Sequence, residues 1–91
     1  MRFKSFGPFR RALAGKVLEV DVPEGSTVQQ VISRVIEIGG PEIERLIMDG
    51  GRISGNLIVM LNKKDVNTLG GIEVPVSEND EIAILPHVQG G

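Results

Sequence analysis

The sequence predicts an α+β domain, a mixed sheet of four to five strands with one main helix packed across it and a short second helix. Three observations carry that prediction. "KVLEVDV", residues 16–22, alternates apolar and polar positions as a half-buried strand does. "VPEGSTVQQVISRVIEIGGP" repeats Val28, Val31, Ile32, Val35 and Ile36 at helical spacing, one apolar stripe made to face a core. "NLIVML" is a continuous apolar run and reads as a strand buried on both faces.

Residues 2–6 form a first short strand, with Phe3 and Ser5 on one side and Arg2, Lys4 and Phe6 on the other. "GPFRRALAG", with two Gly and a Pro, reads as a hairpin connection. It leads into 16–22, where Leu18, Val20 and Val22 share one face and Val17, Glu19 and Asp21 the other. Thr27 and Gln30 have capping-box spacing, Ser26 competes as N-cap, and Gly39-Gly40-Pro41 ends the helix. Pro41 at the first helical position, with Ile43, Leu46 and Ile47 inward, predicts the second helix over 41–48. "DGGRISG" is expected to be a mobile loop, "NKKDVNTLGG" supplies turns, and 72–76 suggests a minor edge strand. "SEND", with Asp80 as a turn former, leads into a last strand over 81–85. The order is strand, strand, helix, strand, strand. That is a ubiquitin-like β-grasp arrangement, with a domain over 1–85 and a flexible tail over 86–91.

Ninety-one residues make one domain, and 41% hydrophobic with 24% charged residues is an ordinary globular balance. A net charge of −2 argues against broad attraction to nucleic acid or membrane. No apolar run approaches a bilayer span and "MRFKSFGPFRR" lacks a signal-peptide core, so a cytoplasmic place is expected. The absence of cysteine excludes disulfides, thiolate metal sites and thiol nucleophiles. The single histidine, His87, has no partner at metal-ligand spacing, so no metal is expected. Arg10-Arg11 and Lys63-Lys64 read first as solvated surface and second as docking points for an acidic partner. "GGRISG" lacks the lysine and serine of a phosphate-binding loop.

The chain closes on "ILPHVQGG". A terminal carboxylate is ionised at neutral pH and a poor electrophile, so it must be activated before it can accept sulfur or join an amine. Pro86 can end the last strand, and the residues from 86 to 91 can reach about 20 Å. Gly90 and Gly91 have no Cβ and so suit a narrow channel beside a nucleotide. Alternation puts Leu85 opposite Ile82 and Ile84, beside Glu81 and Ala83. With the first and last strands as neighbours, Phe6 and Leu85 form one apolar patch near the root of the tail, read as a partner surface. The alternative is that both tuck into a subsidiary core under the 7–15 connection.

"FGPFRRALAG", "VPEGSTVQQVI" and "SENDEIAILPHVQGG" resemble, in order, the first-hairpin signature, the loop into the helix and the acidic turn, last strand and diglycine tail of the small sulfur-carrier proteins. These include the small subunit of molybdopterin synthase, the thiamin-pathway carrier, the ubiquitin-related modifier and the small archaeal modifier proteins. The resemblance implies that Gly91, with Gly90 before it, is adenylated by a ubiquitin-activating-type enzyme and converted to a thiocarboxylate. It implies no cofactor bound to this chain, ATP being used by the partner enzyme. The chain is then a sulfur-carrying subunit or co-substrate, with molybdopterin synthesis and the molybdopterin synthase large subunit as the first expectation. Phe6, Leu85, Pro86, His87 and Val88 are the implied partner contacts. Two departures bear on pathway rather than fold: His87 stands where the molybdopterin-synthase branch usually has a second Pro, and 39–56 is longer than in compact bacterial members. Conjugation of Gly91 to lysines, tRNA thiolation and thiamin synthesis stay open. A β-grasp binding module, such as an RNA-binding domain, is disfavoured by the acidic balance and by the absence of Tyr and Trp.

Overall fold

The computed structural model describes residues 1–5, 9, 11 and 17–86. Among them, β1 (Arg2–Ser5) pairs antiparallel with β2 (Val17–Glu19), with Phe3 opposite Leu18. The hairpin continues past β2, where the Met1 ammonium donates to the Val20 carbonyl at 3.1 Å and Val20 N donates to Met1 O at 2.9 Å. β7 (Glu81–Pro86) runs parallel to β1 on one side and antiparallel to β5 (Leu57–Leu61) on the other. With β6 (Lys64–Asp65), the described strands form a mixed sheet in the order β2-β1-β7-β5-β6. This is the expected β-grasp.

One face of the sheet is the core. Phe3, Val59, Leu61, Ile82 and Ile84 point into it and are buried. Against them lies α1 (Val28–Gly39), with Val28, Val31, Ile32 and Val35 fully buried and Ile36 half-buried at the edge of the cluster. Each such side chain contributes about 1.5–3 kcal/mol by leaving water. Phe9, in the β1–β2 connection, is also buried in this cluster. After the Gly40 break (φ 76°), α2 (Pro41–Ile47) adds Ile43 and Ile47 to the core, with Leu46 half-buried against it.

The start of α1 satisfies all four amides that a helix leaves without intrahelical partners. Thr27 and Gln30 form the expected capping box, Gln30 N donating to Thr27 Oγ1 at 3.3 Å and Thr27 N to Gln30 Oε1 at 2.8 Å. The other two amides belong to Val28 and Gln29, which donate to Val74 O at 3.0 Å and Ile72 O at 2.9 Å. Ser26 does not cap; its hydroxyl donates to Pro23 O at 2.6 Å.

That network corrects the expected edge strand over 72–76. The segment lies across the helix start instead, held by those two hydrogen bonds and by Val76 N donating to Ser26 O at 2.8 Å, with no strand ladder beyond an isolated bridge between Thr27 and Pro75. Its carbonyls are drawn to the helix amides, and Pro75 has no N–H for a ladder. A second correction concerns "DGGRISG", which is a small hairpin rather than a loose loop. β3 (Met48–Asp49) pairs with β4 (Arg52–Ile53) across Gly50 (φ 62°) and Gly51 (φ 86°), the two positive φ values that a tight hairpin turn requires. Met48 and Ile53 are half-buried against the core. Third, β5 is not buried on both faces. Val59 and Leu61 are buried, while Ile58 and Met60 are half-exposed on the side away from α1.

Candidate functional site

The face of the sheet away from α1 carries the apolar residues Ile58, Met60, Ala83 and Leu85, the last of them next to Pro86 where β7 ends. Strand alternation sends Ile82 and Ile84 to the core, so Glu81, Ala83 and Leu85 face outward, as the sequence predicts. Register then sets their neighbours. Ala83 stands between Lys4 of β1 and Met60 of β5, and Leu85 stands opposite Ile58. Lys4, Met60, Lys63, Glu81, Ala83 and Leu85 line a shallow depression of about 180 Å³. Leu85 is half-buried in it and Lys63 is exposed. The depression is apolar along Met60, Ala83 and Leu85, with lysines on both flanks.

The strand that carries this surface is the central one of the sheet. β7 has a partner on each side, and Ile82 and Ile84 are fully buried beneath it. Its N-terminal entry is fixed by Asp80, whose Oδ2 accepts from Ser77 N at 2.7 Å and whose Oδ1 accepts from Asn62 Nδ2 at 3.0 Å. Asn62 Oδ1 accepts from Glu81 N at 3.0 Å, so one asparagine ties the β5 end to the β7 start. Asp80 is thus the turn former expected. At the other end Pro86 is exposed, opposite Leu57, and is the last described residue. Any segment leaving Pro86 departs from a rigid central strand beside the apolar depression.

Of the residues singled out in the sequence, the structure brings Leu85 and Pro86 to one edge of this face. Phe6, His87, Val88, Gly90 and Gly91 lie outside the described residues, so the Phe6 half of the expected patch does too. Sequence reasoning missed Ile58 and Met60, and it read Lys63 first as solvated surface and only second as a docking point for an acidic partner. "NLIVML" conceals its outward face because Ile58 and Met60 are apolar too. Met60 carries a signal all the same: an unbranched, adaptable thioether in an otherwise Leu, Ile and Val strand suits a surface that repacks against partners. Among the described residues no group of acidic or histidine side chains could hold a metal ion, and no helix is long and apolar enough to cross a membrane.

Fold and face together define a class: a small β-grasp domain whose central strand ends, at Pro86, beside a shallow apolar depression. Residues 5–91 match the ThiS family, and the chain belongs to it. A candidate sulfur carrier protein of Archaeoglobus fulgidus is 34% identical over 74 residues, covering 81% of this chain and 83% of its own. The solution structure of small archaeal modifier protein 1 from Methanosarcina acetivorans superposes with a TM-score of 0.83 at 26% identity, covering 99% of this chain and 94% of that one. A chain of the BexX/CysO complex of Amycolatopsis orientalis gives a TM-score of 0.79 at 27% identity, covering 99% and 98%. The protein is therefore of the sulfur-carrier and ubiquitin-like small-modifier type.

Proposed function

We propose that this chain carries sulfur on the α-carboxylate of Gly91. A ubiquitin-activating-type enzyme joins that carboxylate to the AMP moiety of ATP, releasing pyrophosphate. The terminal sulfur of a persulfide donor then displaces AMP, and a second thiol reduces the resulting acyl disulfide, leaving the thiocarboxylate and a disulfide on the donor side. The chain binds no cofactor of its own, and with no cysteine it has nowhere else to hold transferable sulfur. Such chemistry belongs in the cytoplasm, where ATP and the persulfide donor are at hand. Molybdopterin formation, with a large catalytic subunit as acceptor, is the first pathway to test, ahead of tRNA thiolation and thiamin synthesis.

The observation that carries this reading is the placement of Pro86. It ends a central strand, is exposed, and adjoins the depression lined by Met60, Ala83 and Leu85. A partner seated on that face would meet the start of the tail, and Leu85, Pro86, His87 and Val88 would guide Gly90 and Gly91 toward its nucleotide. The likeness to an archaeal modifier favours a second reading, in which the same adenylate is attacked by a lysine amine to form an isopeptide bond. Mass spectrometry after incubation with the adenylating enzyme, ATP and a sulfur donor separates the two. The carrier reading expects one oxygen of Gly91 replaced by sulfur; the modifier reading expects larger adducts joined through Gly91.

A further inference from the structure

We propose that Lys63 is a docking cation for the adenylating partner, held beside the apolar depression in a backbone conformation that lysine disfavours. The matching partner surface is an apolar knob edged with carboxylates. The identity of the partner rests on the sulfur-carrier reading above; the choice of residue rests on geometry.

β5 and β6 are joined by two residues only, Asn62 (φ 51°) and Lys63 (φ 69°), with Leu61 opposite Lys64. A two-residue turn with both φ values positive favours Asn at its first position and Gly at its second, because a Cβ crowds the left-handed conformation. Asn62 fits that rule, and its amide links Asp80 to Glu81. Lys63 does not. The β3–β4 hairpin of the same chain solves the same turn with Gly50-Gly51. A surface residue kept in an unfavourable conformation points to a task outside the fold.

The second observation is where Lys63 stands. It lines the depression together with Met60, Ala83 and Leu85, and Lys4 lines it too. The one carboxylate of the lining, Glu81, lies 3.9 Å from Arg2. On a chain of net charge −2 this face is therefore locally cationic around an apolar floor. Rim charges of this kind steer a partner of opposite sign and set the salt dependence of its binding.

The test is ATP–pyrophosphate exchange by the cognate adenylating enzyme, reading KM for the carrier and kcat at low and high salt, beside thermal melts. For Lys63→Gly the melting temperature holds or rises by up to about 5 °C, since glycine relieves the turn. KM at low salt rises about two- to fivefold, kcat is retained, and the salt dependence of KM shrinks. Lys63→Arg, which keeps the charge, stays near the wild-type KM. An unchanged KM and salt dependence in Lys63→Gly would overturn the inference. So would a raised KM accompanied by a lowered melting temperature, which marks a structural role. Absence of exchange by the wild-type chain would remove the partner, and the inference with it, by a different signature.

Discussion

A side chain on this sheet is assigned its task by the face it points to. Val35 points from α1 into the core and is fully buried. Val35→Ala should cost about 1–3 kcal/mol, from lost transfer energy and the cavity left behind, read by denaturant unfolding. Leu85 points the other way, into the shallow depression opposite Ile58. Leu85→Asp should weaken binding to the adenylating enzyme about tenfold or more while lowering stability far less, checked by titration calorimetry beside a thermal melt. An equal loss in both would make Leu85 a core residue. Leu85 was legible in the sequence because "EIAIL" alternates, and period-two reading assigns its faces directly. Lys63 was legible only in part: the lysine pair read first as solvated surface and second as a docking point, and nothing in a residue's name announces a positive φ.

Elements here are fixed as much by what lies across their ends as by their own periodicity. α1 carries its stripe and capping box in its sequence, and both form. Thr27→Ala removes the acceptor for Gln30 N and should cost about 1 kcal/mol, measured as a shift in the urea midpoint at constant slope. The loss stays this small because Val28 and Gln29 keep the carbonyls of Val74 and Ile72. Those tertiary hydrogen bonds explain why 72–76 misled: an apolar segment reads as strand unless one knows that a helix start will claim its carbonyls. The glycines at 50 and 51 misled in the opposite direction. Glycine pairs signal both looseness and tight turns, and only the flanking pairs Met48–Ile53 and Asp49–Arg52 decide between them. For β5 the failure lay in composition, since an unbroken apolar run cannot reveal that Val59 and Leu61 are buried while Ile58 and Met60 on the other face are only half-buried.

At the scale of the whole molecule, the sheet order β2-β1-β7-β5-β6 puts the last strand in the middle. Pro86 therefore stands at the end of the central strand, next to Leu85 of the apolar depression. This arrangement leads to the central claim, that the working group is the carboxylate of Gly91 and that the domain presents it. The direct measurement is ATP–pyrophosphate exchange with the cognate adenylating enzyme, comparing the intact chain with one lacking Gly91, each melted in parallel. The shortened chain presents its carboxylate up to about 3.5 Å short of the nucleotide, and loss of alignment on that scale cripples a reaction. The account predicts exchange by the intact chain, none by the shortened one, and the same melting temperature for both. Normal exchange by the chain without Gly91 would contradict it.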